Sequence, residues 1–384
     1  MTEAQAPIRL LMLGTVNHPH VEHLANAMRE RGLELLVAGD VEPSLPASRL
    51  PEAGVELRVA PPARRRTVRG LVSHVIWIRR LVREFRPAVV HAHWFPGFGF
   101  FAALARARPL VAMAWGSDVY RANLRQALVN RYVARRADLV MTDSSALLGR
   151  LESLGASADR TLLVNWGVDL EAFSPPKGGR RELRERLGLG DGPIILSPRS
   201  LAPVYNIPVI LAAFERLLER IPEAQLVLKH MAVTPRELGA LPHPERVHLV
   251  GHVPYERMAD YYRAADVCVS IASSDSSPRS AWEALACGCP LVLSDLPWVH
   301  ELIEPGRHAA VVPIDAGAVA AAVERLLTDG EHATRMRAEG RALVERHRDQ
   351  KAEMDRLAGA YADLARDAQP AATTSRRAME RNRS

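Results

Sequence analysis

The stretch from Val269 to Val312 constrains the fold of this chain more than any other. It reads VSIASSDSSPRSAWEALACGCPLVLSDLPWVHELIEPGRHAAVV. A short β-branched run ends at Ile271 and a polar turn follows. A helix opens near Pro278, with Ser277 placed as an N-cap and proline at the first helical position. Gly288 and Pro290 stop that helix, and Leu291 begins a second apolar run. This is a strand–loop–helix–strand unit with its polar residues gathered in the loop and first helical turn.

The same alternation runs through the whole chain. Strands are expected at Ile8–Leu13, Leu33–Ala38, Ala88–His93, Leu110–Ala114, Leu139–Thr142 and Leu162–Val164, with a helix over Val21–Arg31 and a loop at Trp94–Gly99. The segment SPPKGGRRELRERLG at 174–188 breaks the composition and reads as a linker. Alternation then restarts, with strands at Ile194–Ser197, Gln225–Lys229, Val247–Leu249 and Val267–Ile271. A chain of 384 residues fits two domains better than one. The expected layout is an α/β chain of two doubly wound domains facing across a cleft. Residues 1–174 form the N-terminal domain, 175–190 the linker and 191–346 the C-terminal domain. A helix at 347–368 returns to the first domain, and a disordered basic tail covers 369–384.

The three cysteines, Cys268, Cys287 and Cys289, lie in apolar contexts, which fits reduced, buried thiols in a cytoplasm. Cys287 and Cys289 are too few for a zinc site, so no metal site is expected. The start reads as a polar lead into a strand rather than a signal peptide, and no uncharged apolar run reaches spanning length. The formal charge is +6, and much of the excess sits in 61–87, a basic amphipathic helical segment that carries Arg64, Arg65 and Arg66. Such a helix packs on a sheet with a solvated arginine face, or it rests on an anionic membrane surface at the inner face of the cell membrane. No nucleic-acid partner is expected.

No Walker loop and no G-x-G-x-x-G fingerprint stands in the right context, which argues against ATPases and nicotinamide enzymes. No Asp-x-Asp occurs, so phosphate would be neutralised by cations and helix N-termini. Arg279 and a helix starting at Ser277–Pro278 suit a diphosphate. Glu283 suits a ribose diol, although Ser280-x-x-Glu283 equally satisfies a capping box. Arg199 follows the strand IILS, and Lys229 closes QLVLK. In the first half, GTVNHPHVEH carries His18, His20 and His23, with His20 facing an acceptor at the sheet edge and the others a polar loop and a cap.

These residues resemble the family 4 retaining glycosyltransferases of the GT-B fold, also called group 1. The resemblance runs from Ile8 to about Leu364. It is clearest in NWGVDLEAF at 165–173, VHLVGHVPYERMADYYRAADVCVSIASSD at 247–275, EALACGCPLVLSD at 283–295 and Glu301. It implies an E-x7-E pair at the donor, here Asp275 near the sugar hydroxyls and Glu283 on the ribose. Ser276, Ser277 and Ser280 stand where the family is glycine-rich. Arg199 matches the diphosphate arginine, while the lysine spaced after it is replaced around Val204, Tyr205 and Asn206. Lys229 or Arg279 is the compensating cation that the resemblance implies. Gly251, His252 and Val253 match the nucleobase segment.

In the first domain the family's His-Gly pair is replaced by Trp115–Gly116, followed by Asp118, and His93 remains. The resemblance therefore implies Asp275, Arg199 and His93 as catalytic residues and His20, Trp115 and Asp118 on the acceptor side. The implied reaction is metal-independent, retaining transfer from a nucleotide diphosphate sugar to a carbohydrate, lipid-linked or small-molecule hydroxyl. It needs no cofactor beyond that co-substrate. The substitutions at Trp115, Asp275 and the missing lysine also motivate a second reading, a non-catalytic nucleotide- or partner-binding protein of the same fold.

Overall fold

The computed structural model describes residues 6–61, 67–120, 122–230, 241 and 243–368. Arg64, Arg65, Arg66 and the tail at 369–384 lie outside the described residues. The chain divides into two compact units. The first comprises Met1–Thr142, Leu148–Leu163 and Met354–Ser384, and the second Asp143–Leu147 and Val164–Glu353.

The first unit holds β1 (Arg9–Leu13), α1 (Pro19–Glu30), β2 (Glu34–Gly39), β3 (Glu56–Val59), α2 (Val68–Phe85) and β4 (Val89–His93). It continues with α3 (Phe100–Ala105), β5 (Leu110–Met113), α4 (Ser117–Tyr120), α5 (Leu124–Arg136), β6 (Leu139–Thr142), α6 (Ser145–Ser153) and β7 (Thr161–Leu163). Its seven strands are all parallel, in the order β3-β2-β1-β4-β5-β6-β7. Leu10 pairs with both Leu35 and Val89, so β1 is flanked on both sides. Strands such as LLML and VV are apolar throughout because helices cover both faces of a parallel sheet.

The second unit holds α7 (Arg180–Arg186), β8 (Ile194–Ser197), α8 (Ile207–Leu218), β9 (Gln225–Lys229), β10 (Val247–Val250), α9 (Met258–Ala264) and β11 (Val267–Ser270). Then follow α10 (Arg279–Ala286), β12 (Leu291–Ser294), β13 (Ala310–Val312), α11 (Ala316–Thr328) and α12 (Gly330–His347), while α13 (Gln350–Asp367) has only its residues up to Glu353 in this unit. The strand order is β10-β9-β8-β11-β12-β13, all parallel. The period of two sorts its core: Ile194, Leu196 and Cys268 enter one apolar cluster, while Ile195, Val267 and Val269 enter another. Order reverses at β8, whose neighbours are β9 and β11. The ends of those three strands therefore splay around one crevice, the place where open α/β sheets take ligands.

Three expectations change. The segment at 175–190 is no free linker. Its α7 buries Leu183, and Arg184 donates to Asp266 over 2.6 Å and to the Ala264 carbonyl over 2.9 Å. Val168 and Phe173, within NWGVDLEAF, also join the second unit's core, so the first stretch of the first unit's chain ends well before 174. The chain at Trp94–Gly99 is a wide helical turn rather than a loop, broken at Gly97 (φ −110°, ψ −105°). From Met354 onwards α13 belongs to the first unit, where the Tyr361 hydroxyl lies 2.6 Å from His91 Nδ1.

Candidate functional site

The second unit's crevice is built from the ends of β8, β9 and β11. Arg199 leaves β8, Lys229 closes β9, and the loop Ile271–Pro278 joins β11 to α10. Arg199 donates from Nη2 to Asp275 Oδ2 over 2.8 Å and from Nη1 to Ser280 Oγ over 2.9 Å. Its guanidinium lies 4.3 Å from the Tyr205 ring centroid. Burial opposes its charge, but Asp275 and Tyr205 raise its pKa overall. Where lysine spacing fails, Tyr205 thus supplies a π face under the arginine. Asn206 (φ 49°) donates to the Ile271 carbonyl and ties the two loops together.

Helix α10 begins differently from the expectation. Pro278 is itself the N-cap, and Ser277 sits before it in a left-handed conformation with φ 54°. Ser277 makes no cap bond: its Oγ accepts from Trp282 Nε1 over 2.9 Å. The capping box is likewise unmade, because Ser280 lies inside the helix and its hydroxyl accepts from Arg199. Glu283 is therefore left for the crevice. It is 6% exposed, accepts from the Tyr262 hydroxyl over 3.1 Å and lies 3.7 Å from Arg279 Nε.

Burial pushes the Glu283 carboxyl above its usual value against the pull of Arg279, Tyr262, Lys229 and Arg199. Burial lowers the Lys229 pKa, opposed by Glu283 and reinforced by Arg199. Arg279 covers the Tyr255 ring at 4.7 Å and donates to its hydroxyl. Two carboxylates and three cations thus share one strand-edge crevice. Gly251, His252 and Val253 follow β10 directly, with His252 exposed and Val253 buried. A Cβ on Gly251 would meet nothing closer than 3.9 Å, so the backbone there is approachable.

Asp143 is the residue that sequence reasoning missed. It accepts from Ser276 Oγ over 2.5 Å and is 7% exposed. Burial pushes its carboxyl up to about 8, with the Ser276 bond pulling down and the Asp275 charge adding to the rise. The two residues stand 133 positions apart, so no local spacing could pair them. Glu301 has a related role, accepting from the Ala146 amide over 3.0 Å.

In the first unit, the ends of β1, β4 and β5 bring His18, His20, His93 and Trp115 together. The Trp115 ring lies 4.7 Å from His18, 5.4 Å from His20 and 5.6 Å from His93. His18 is the capping histidine of α1, its Nδ1 accepting from the His20 amide. Burial lowers its pKa to about 4. His93 is 1% exposed, and burial followed by the neighbouring histidines lowers its pKa well below the ordinary value. It is buried against Trp115.

Asp118 also turns inward. Its carboxylate accepts from the Phe95 amide over 3.1 Å and the Trp115 amide over 3.0 Å, so it positions two loops instead of facing an acceptor. Burial, partly offset by those amides, brings its pKa up to about 6. Among the described residues no group of three or more His, Cys, Asp or Glu side chains is placed to hold a metal ion.

Two parallel-sheet α/β units of this kind are the GT-B architecture of glycosyltransferases. The sucrose-phosphate synthase of Thermosynechococcus elongatus superposes with a TM-score of 0.80 at 22% identity, over 93% of this chain and 99% of that one. The sequence matches the models "Glycosyl transferases group 1" over residues 179–343 and "Glycosyl transferase 4-like domain" over 18–167. It is 33% identical to a D-inositol 3-phosphate glycosyltransferase of Xylanimonas cellulosilytica, over 67% of this chain and 68% of that protein. It is 29% identical to a GDP-mannose-dependent alpha-(1-6)-phosphatidylinositol monomannoside mannosyltransferase of Mycolicibacterium smegmatis, over 63% and 67%. The chain belongs to the group 1, family 4 glycosyltransferases.

Proposed function

We propose that this glycosyltransferase takes a nucleoside diphosphate sugar into the second unit's crevice and transfers the sugar with retention and without a metal ion. The observation that supports this most is the placing of Arg199, Lys229 and Arg279 around Glu283 at the sheet's switch point. Glu283 receives the ribose diol, the 251–253 backbone meets the base, and the cations meet the diphosphate. As the C1–O bond to phosphate breaks, charge grows on the leaving oxygen, where these cations stabilise it. A new C1–O bond forms on the same face, and the acceptor proton passes to the leaving phosphate oxygen. No side-chain base is then required. The acceptor is a polyol or sugar hydroxyl in polysaccharide, glycolipid or natural-product glycoside synthesis. The names of the two relatives favour an inositol-type or lipid-linked one.

The test is thermal shift against UDP, GDP, ADP, TDP and CMP, then turnover of the matching sugar nucleotides in EDTA, with the product anomer read by NMR. A nucleotide shift, EDTA-resistant turnover and a retained anomer are expected. No shift would sink the donor assignment. A shift without turnover of any sugar would favour the binding-protein reading, which the engagement of Asp275 by Arg199 motivates.

A surface feature fits a membrane-borne acceptor. Val68, Val72 and Ile76 on α2 are 77%, 49% and 58% exposed, and Leu124 and Leu128 on α5 are 80% and 64% exposed. Among the residues of these two helices, Arg69, Arg79, Arg80, Arg83, Arg125, Arg131, Arg135 and Arg136 face a single acid, Glu84. Exposed aliphatics with excess arginine suit the surface of an anionic bilayer. No helix among the described residues is long and apolar enough to cross one. Co-sedimentation with phosphatidylglycerol vesicles, weakened by salt and absent with phosphatidylcholine, is expected. Equal sedimentation with both lipids, or none, would remove this part of the reading.

A further inference from the structure

The loop before α10 is held in a costly shape by bonds from outside it. Ser277 adopts φ 54°, a left-handed conformation that costs a non-glycine residue on the order of 1 kcal/mol. Strain of this kind persists only where the surroundings over-determine it. Here the Trp282 indole fixes Ser277, and the Asp143 carboxyl fixes Ser276. Ser276 in turn donates its amide to Asp275 Oδ1 over 3.0 Å, while Asp275 Oδ2 receives Arg199. The chain of contacts Asp143–Ser276–Asp275–Arg199 is continuous. It ends on the cation assigned to the diphosphate and passes through the carboxylate assigned to the sugar.

We propose that Asp143 is a positioning residue of the donor-sugar site: through Ser276 it fixes the Asp275 carboxylate, and so sets which hydroxyls of the nucleoside diphosphate sugar are accepted. This rests on the donor-site reading above and adds to it a residue from a distant part of the chain. The segment Asp143–Leu147 belongs to the second unit, although the strand before it and most of the helix after it belong to the first.

The groups facing the Asp143 carboxyl are Ser276 and Asp275 from the loop and Trp166 from the segment after β7. Arg348, at the end of α12, also feels its charge. With Asp275 engaged by Arg199 and its own carboxyl buried, Asp143 keeps its proton at neutral pH. Losing that proton sets a second negative charge beside Asp275 and loosens the loop.

The experiment compares Asp143→Asn, Asp143→Ala and Ser276→Ala with the wild-type full chain. Two quantities are read for each: affinity for the free nucleoside diphosphate, and kcat and KM for the sugar nucleotides as a function of pH. Asp143→Ala and Ser276→Ala are expected to keep nucleotide affinity within about twofold. They should lower kcat/KM for the preferred sugar by about tenfold, the worth of one buried hydrogen bond to a charged network, and narrow the preference among sugars. Asp143→Asn retains an acceptor for Ser276 and cannot ionise. The wild type is expected to lose kcat/KM above about pH 8, and Asp143→Asn should restore activity near pH 7 and abolish that fall.

Unchanged sugar preference and an unchanged pH profile in all three variants would overturn the proposal while leaving the donor site in place. If Asp143→Ala does not fold, Ser276→Ala and Asp143→Asn decide the matter alone. Absence of any nucleotide shift in the wild type would overturn the donor site and this proposal together.

Discussion

Arg199 and Asp275 form an ion pair of 2.8 Å with side chains only 14% and 16% exposed. The cation assigned to the diphosphate is therefore already held by the carboxylate assigned to the sugar. Shielding makes such a pair matter more than a solvated one. Donor binding has to share or open it.

Asp275→Asn separates the two roles. Nucleoside diphosphate affinity should stay within about twofold or tighten, because Arg199 is released, while sugar transfer falls. Arg199→Ala should lose both, with kcat/KM reduced by about 10²–10³, the usual scale for removing one preorganised group that stabilises developing charge. Calorimetric titration with nucleotide beside steady-state transfer distinguishes them. Equal losses of affinity in both variants would contradict the division of labour.

Glu283 leaves its partners stranded when removed. Glu283→Ala leaves the Tyr262 hydroxyl without its acceptor and Arg279 without its carboxylate neighbour, at a cost of about 1–3 kcal/mol. It should also abolish the nucleotide-dependent thermal shift. Tyr262→Phe should lower stability less and keep the shift. A Glu283→Ala protein that melts earlier yet shifts normally with nucleotide would refute the ribose role.

Asp118 is expected to behave as a structural residue. Asp118→Ala leaves the Phe95 and Trp115 amides without their acceptor, a loss of about 2–4 kcal/mol in urea unfolding. The nucleotide shift should keep its size, since every donor group lies in the other unit. Unaltered stability with altered acceptor KM would restore the acceptor-side reading.

Acid should destabilise the first unit through His91. It is fully buried beside Tyr361, and burial lowers its pKa to about 3. The folded value lies below the unfolded value of about 6.5, so the unfolded chain binds the extra proton. Stability is fully present above about pH 6.5 and is lost progressively as pH falls towards 3. At pH 5 the loss is about 2 kcal/mol. Urea midpoints measured from pH 7.5 to 5 should fall, and His91→Gln should flatten that slope while lowering stability at pH 7.5. A slope unchanged in the variant would assign the acid sensitivity elsewhere.

The strands were readable where apolar runs stood between glycine and proline breaks. Leu139–Thr142, Ile194–Ser197 and Gln225–Lys229 form as the pattern predicts, because a strand covered on both faces has few residue choices. Strand β3 carried no such signal: ELRV lies at the sheet's edge, largely exposed, and its charges resemble a loop. The composition of 174–188 suggested a linker, yet buried Leu183 and the Arg184–Asp266 pair fasten it. Proline and glycine report local backbone preference and are silent about docking.

The stretch from Val269 to Val312 shows the same division at the site. By itself the sequence determined that a strand, a polar loop and a helix follow one another there, and that Asp275 and Glu283 lie on opposite sides of the helix start. Those features depend on neighbours in the chain. Only the tertiary structure decided that Ser277 is left-handed, that Ser280 serves Arg199 instead of a cap, and that Asp143 holds Ser276. Each depends on a partner brought in by packing, from Trp282 five residues away to Asp143 more than a hundred. A hydrogen bond at that range leaves no periodicity to read.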